Sequence, residues 1–300
     1  MSTQFTPPEA DKVAHSGPAS RMGDSNEAVI FLHLPKTAGT TVNRLIEWEY
    51  PLKQMYSVDP VLFQWSAAHL HSLPPERLKK IRMFKGHMTF GLHERLPQKA
   101  TYITVLRDPV DRVISAFFFM RSYRLHPLYW KMRRENWSLE DFVRNSQRDN
   151  VQSKIVAGAK YEEPCTREIV ETAKSNLRNH FSVVGLSARL EESLALMKLR
   201  FGWKLSSYSS FNVTRSRPKK RDLPQATLDF IHQKNAFDIE LYECAQEIFE
   251  SAVQANAEEV KRIAGELEAA RTRSQGSLGA MLFNARSAAR KAINRVYSAV

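Results

Sequence analysis

Lys36-Thr37-Ala38-Gly39-Thr40-Thr41 puts one lysine and three threonine hydroxyls around a glycine within six residues. Small residues let backbone N–H groups converge on one point, hydroxyls add donors, and an ammonium adds a full charge. That combination suits a phosphate-like anion. A second group, Arg107-Asp108-Pro109-Val110-Asp111-Arg112, offers a guanidinium whose planar fork can grip two oxygens of a phosphate. Ser115 follows eight positions after Arg107 and can add a hydroxyl.

Such groups need a frame, and the flanking residues supply one. Ala28 to Leu34 is mostly apolar and reads as a buried parallel strand ending at Pro35. Val42, Leu45 and Ile46 then fall on one face of a helix. Thr101 to Leu106 reads as a second buried strand, and Phe181 to Leu186 as a third, with Ile81 to Lys85 a shorter candidate. After Leu106, Asp108 is placed to cap a helix, Pro109 suits its first position, and Asp111 its first turn. Val110, Val113, Ile114, Phe117 and Phe118 form the core stripe of that helix, leaving Ser115 off the stripe and open to a ligand. Both junctions would open at the carboxyl edge of a parallel sheet, where α/β proteins bind ligands. Two anion sites on one edge suit a nucleoside with phosphates at both ends.

The remaining segments are less chemical. Residues 50–80 carry Pro51, Pro60, Pro74 and Pro75 and read as irregular; His69 and His71 within them read as surface or packing histidines. Residues 121–150 mix aromatic and basic side chains. They read either as a solvated helical surface or as a rim for an acidic or sugar-like acceptor, with Ser138 and Asp141 boxing a helix start. Helices are expected over about 190–199 and from near Thr227. The stretch 206–224 reads as a mobile, Ser-rich and then basic loop.

At 300 residues and a net charge of +12, the chain has room for one large α/β domain and favours anionic ligands. Zinc-finger spacing and the common nucleic-acid motifs are missing, so nucleic acid is not an expected partner. Residues 1–27 read as a disordered leader without a signal peptide, 28–253 as the domain, and 254–300 as a solvated helical extension. Within that extension, Ser277 to Val300 has the pattern of a basic amphipathic helix, suited to peripheral membrane contact or to packing on its own chain. Cys165 and Cys244 suggest no disulfide framework, so a cytoplasmic setting is expected.

PKTAGTT after a buried strand is similar to the 5′-phosphosulfate loop of sulfotransferases that use 3′-phosphoadenosine-5′-phosphosulfate (PAPS). LRDPVDRVIS resembles their 3′-phosphate motif. The match is to the carbohydrate branch that includes the heparan sulfate 2-O- and 6-O-sulfotransferases and many bacterial relatives. It extends more faintly through Gly86-His87, Asn150 to Gln152, Val184 to Leu186, and Asp238 to Leu241-Tyr242.

The resemblance implies a P-loop-like three-layer fold, a central, mainly parallel sheet flanked by helices, carrying a C-terminal helical extension. It assigns Lys36, Thr37, Ala38, Gly39, Thr40 and Thr41 to the 5′-phosphosulfate, and Arg107 and Ser115 to the 3′-phosphate. Related enzymes use a late basic loop against the nucleotide, so Arg217 is expected to be a further contact, although its stretch does not match a family motif. Lys36 would stabilise the leaving phosphate and His87 would act as base, with His93 in reserve and His33 a core residue. PAPS is the implied co-substrate, with no metal, and a carbohydrate or glycolipid hydroxyl, in a bacterial setting, the implied acceptor. Ala188-Arg189 departs from the family pattern, which often has an acid there. Two other classes compete: a P-loop nucleotide kinase, although GxxxxGK[ST] is missing, and a nonenzymatic glycan- or membrane-binding protein on the same fold.

Overall fold

A computed structural model describes residues 27–58, 63–205, 218, 220–274 and 289. The leader up to residue 26, Arg217, and the amphipathic segment 277–300 apart from residue 289 lie outside the described residues.

The described residues form a parallel sheet of β1 (Ala28–Leu32), β2 (Met55–Val58), β3 (Met83–Gly86), β4 (Ala100–Leu106) and β5 (Phe181–Leu186). Its order is β2-β3-β1-β4-β5, so the first strand in sequence is the middle one. Every residue of β1 is buried. That is why it reads as an unbroken apolar run and not as an alternating one. Leu32 lies opposite Gly86 on one side and Thr104 on the other, and the Thr104 hydroxyl donates to the Leu32 carbonyl at 2.8 Å. The register sets the ends of β3, β1 and β4 side by side.

Twelve helices flank and extend the sheet within the described residues. In the first half these are α1 (Gly39–Glu49), α2 (Phe63–Ser72), α3 (Pro75–Leu78), α4 (Pro109–Ser122), α5 (Leu128–Arg134) and α6 (Leu139–Asn145). The rest are α7 (Val151–Ala157), α8 (Arg167–His180), α9 (Leu190–Phe201), α10 (Gln225–Lys234), α11 (Ala236–Ala255) and α12 (Ala257–Ser274). Asp108 caps α4 by accepting from the Asp111 N–H at 2.9 Å, and Ser138 with Asp141 closes a capping box on α6. Both caps are those expected from sequence. A second apolar core, apart from the one on the sheet, joins α4, α5, α6 and α10 through Phe117, Met132, Trp137, Phe142 and Ile231.

Three expectations are corrected. Residues 50–80 are not irregular throughout: they hold β2, α2 and α3, the short edge strand being hidden by its length and by the prolines around it. The helix expected from Thr227 is two helices, broken at Asn235, whose side chain turns back to the Ile231 carbonyl. Nor is the region after 254 wholly solvated, because Val260, Ile263 and Leu267 of α12 bury into the main core and Arg271 pairs with Glu191 of α9 at 2.8 Å.

One ion pair binds sheet to helix. Lys85 on β3 donates to Glu47 on α1 at 2.8 Å, with both side chains at 5% exposure or less. Removing one partner strands a charge in a dry interior, whereas replacing both leaves nothing to solvate. Lys85→Ala is therefore expected to cost about 3–5 kcal/mol in urea unfolding, and Lys85→Met with Glu47→Leu to recover most of it.

Candidate functional site

The turn between β1 and α1 holds two non-glycine residues in the left-handed region, Lys36 at φ 70° and Ala38 at φ 67°. This costs backbone energy and persists only where the surroundings enforce it. The enforcement is visible. The Thr37 hydroxyl donates to the Leu34 carbonyl at 2.9 Å, stitching the turn to the strand end. His33 packs beneath Gly39 so closely that a Cβ there would lie 2.0 Å from its ring carbon Cδ2. No side chain caps α1, in contrast to α4, α6 and α8. Its first N–H groups and its positive dipole end therefore face the turn uncapped by any side chain.

Two neighbouring strand ends complete the arrangement. Arg107, just after β4, donates from Nη1 to the Lys36 carbonyl at 3.1 Å, joining the two sequence motifs directly. His87, just after β3, stacks on His33 with centroids 4.3 Å apart and planes at 24°. The Asn43 amide lies 3.0 Å from His33 Nδ1 and holds the lower ring. Gly86 at φ 133° allows the chain to turn toward this stack; a Cβ there would meet the Val58 carbonyl oxygen at 2.2 Å. The Lys36 ammonium lies 4.0 Å from the centre of the Phe119 ring of α4, a cation–π contact that aims it along that helix.

Lys36, Thr37, Ala38, Gly39, Thr40, Thr41, Arg107 and His87 thus share one edge of the sheet. Thr37 is buried with its hydroxyl proton committed to Leu34, so what it can offer an anion is its backbone N–H. Ser115 is 7% exposed and so less open than its position off the apolar stripe suggests, because α4 is buried nearly all round from Val110 to Phe117. His93 lies elsewhere. Its Nδ1 is 3.1 Å from the Tyr102 hydroxyl and its ring packs on His180, both at the amino end of the sheet. Burial beside His180 lowers its pKa. Arg189 forms ion pairs with Glu192 and Glu250 and lies over Phe249, a structural corner. Lys220, in the last part of the basic stretch 206–224, reaches Asp108 at 3.2 Å beside the Arg107 junction.

The support beneath Arg107 was not legible as a unit. Gln152 on α7 clamps its backbone, accepting from the Arg107 N–H at 3.0 Å and donating to its carbonyl at 2.9 Å. Asp238 on α11 holds α7 in turn, taking the N–H groups of Gln152 and Ser153 and the Ser153 hydroxyl at 3.2, 2.7 and 2.8 Å. Asp238 also faces the buried Arg112 at 3.7 Å, and Asn235 accepts from Arg112 and from the Asn150 N–H. Tyr242, one turn beyond Asp238, has its pKa raised, first by burial and then by the charges of Asp108 and Asp111.

Residues 4–294 match the family model of galactose-3-O-sulfotransferases. The chain belongs to that family. Mouse galactose-3-O-sulfotransferase 3 is 26% identical over 82% of this chain, and the heparan sulfate 2-O-sulfotransferase 1 of Xenopus laevis is 24% identical over 81%. The matched regions span 62% and 76% of those two proteins. These animal relatives lend no support to the expectation of a bacterial, cytoplasmic protein. A crystal structure of mouse sulfotransferase SULT7A1 complexed with PAP is 16% identical over 75% of this chain and 90% of that one. Its TM-score of 0.28 adds nothing to the fold described above.

For this galactose-3-O-sulfotransferase family member, Asp238 is the point where the support can be tested. Asp238→Ala would leave the Arg112 guanidinium buried without its counter-charge, a loss of about 3–5 kcal/mol seen as a lowered unfolding midpoint. Gly39→Ala is expected to push His33 aside, seen as the loss of mutual ring-current shifts between His33 and His87 in NMR spectra.

Proposed function

We propose that the protein transfers a sulfuryl group from PAPS to a hydroxyl of a carbohydrate or glycolipid acceptor. The observation that carries this is the Arg107–Lys36 hydrogen bond, with His87 held one strand away over His33. It brings the two turns read as anion sites and the candidate base to one edge of the sheet. Membership of a family described by galactose-3-O-sulfotransfer, and relatives named for heparan sulfate 2-O-sulfotransfer, support the carbohydrate class.

The α1 turn, through the N–H groups of Thr37, Ala38, Gly39 and Thr40 and the hydroxyls of Thr40 and Thr41, would hold the 5′-phosphosulfate, the Thr41 N–H being held by the Ala38 carbonyl at 3.0 Å. Arg107 and Ser115 would hold the 3′-phosphate and give preference over ATP. His87 accepts the proton of the acceptor hydroxyl as its oxygen forms the new bond to sulfur. The bond from sulfur to the bridging oxygen of the donor breaks in line, and Lys36 neutralises the charge that gathers on that oxygen. Among the described residues no cluster of three metal-ligating side chains is present.

The decisive measurement is donor choice. Binding of PAP and PAPS is expected to exceed that of ATP with magnesium by at least about tenfold, since the site is built for a 3′-phosphate; preference for ATP would overturn the reading in favour of a kinase. Arg107→Lys should weaken PAP severalfold while leaving adenosine 5′-phosphosulfate, which has no 3′-phosphate, unchanged. Lys36→Ala and His87→Ala should each lower kcat by about 10²–10⁴-fold, measured as transfer of labelled sulfate from PAPS into a glycan fraction. Transfer undiminished in Lys36→Ala would remove the proposed leaving-group role.

A further inference from the structure

The turn joining α4 to α5 is built unlike the rest of the surface. Of the four large hydrophobic side chains exposed among the described residues, three lie here: Leu125 at 81%, Trp130 at 63% and Tyr123 at 38%. Around them stand Arg121, Arg124, Lys131, Arg133 and Arg134, all exposed, with no acidic residue between 121 and 134. Only Arg134 of these five has a carboxylate partner among the described residues, Glu135 at 3.2 Å. The tip is not loose chain. Met132 and Trp137 root it in the second core, and the Trp137 ring N–H donates to Glu135 at 2.9 Å. The Leu128 N–H donates to His126 Nδ1 at 3.1 Å, and Tyr123 stacks on Phe119 at 5.3 Å.

We propose that this tip is a docking surface for an anionic lipid bilayer. A polysaccharide would use the cations and stack on the aromatic rings, but it offers no apolar medium for a fully projecting leucine. A bilayer interface takes all three kinds of group at once: leucine into the acyl boundary, tryptophan and tyrosine at headgroup level, and arginine and lysine against lipid phosphates. The tip is also joined to the β1–α1 turn by contact: Phe119, on which Tyr123 stacks, is the ring that lies 4.0 Å from the Lys36 ammonium. The docking itself stands apart from the transfer reaction and from the segment 277–300.

The test uses the full chain and flotation with vesicles of phosphatidylcholine alone or mixed with phosphatidylglycerol. Binding is expected on the mixed vesicles only and should fall as salt rises. Leu125→Asp and Trp130→Ser should each reduce partitioning about tenfold, the scale of one large apolar side chain withdrawn from a nonpolar phase. Unchanged thermal unfolding shows that each variant is folded. Should Trp130→Ser lower the melting temperature, Leu125→Asp carries the test alone, since its side chain already projects into solvent. Wild-type binding that ignores phosphatidylglycerol, variants that bind like wild type, or capture by dextran sulfate beads without any vesicle binding would each overturn the proposal. None of these outcomes depends on whether PAPS is the donor.

Discussion

A carboxylate sealed from water sits beneath the site: Asp238 has no exposed surface and faces a guanidinium that is itself almost wholly buried. Such a pair is tolerated only if the remaining lone pairs and protons find partners. Here the Asp238 oxygens find theirs in a sequence of steps that leads outward, while Arg112 Nε faces the carboxylate at 3.7 Å without a hydrogen bond. Asp238 fixes the start of α7, α7 presents Gln152, and Gln152 holds both backbone polar groups of Arg107. The Arg107 side chain then meets the Lys36 carbonyl. The position of a surface arginine is thus decided by a charge buried deep in the helical layer.

The opposite flank is held by packing more than by charge. His33 fills the space a side chain on Gly39 would need, Asn43 fixes its ring, and His87 lies on top.

Much of the sheet and both strand-to-helix turns could be read from residue order alone, because β1, β4 and β5 are buried along nearly their whole length and are mostly apolar. β2 could not, being four residues with Ser57 inside and prolines nearby. α8 escaped for another reason. Val170, Ala173 and Leu177 do repeat at helical spacing, but they are thinly set among charges. α12 carried the same kind of signal in Val260, Ile263 and Leu267 and was outvoted by its glutamates. Within the site, Lys36 and Arg107 announced themselves through their turns, whereas Gln152 and Asp238 are polar residues on helices, a pattern that ordinarily means solvent. Only the fold shows that they face inward.

The strand order has a consequence for how the protein comes into being. β1 is made before the other strands, yet its two neighbours are residues 83–86 and 100–104, so one edge stays open while some fifty further residues are made and the other for some seventy. A nascent chain of that length already contains Lys36 and its whole turn but neither α7 nor Asp238. Domains made of parallel strands pair late by their nature. The turn after β1 is therefore made well before the elements that hold it in shape.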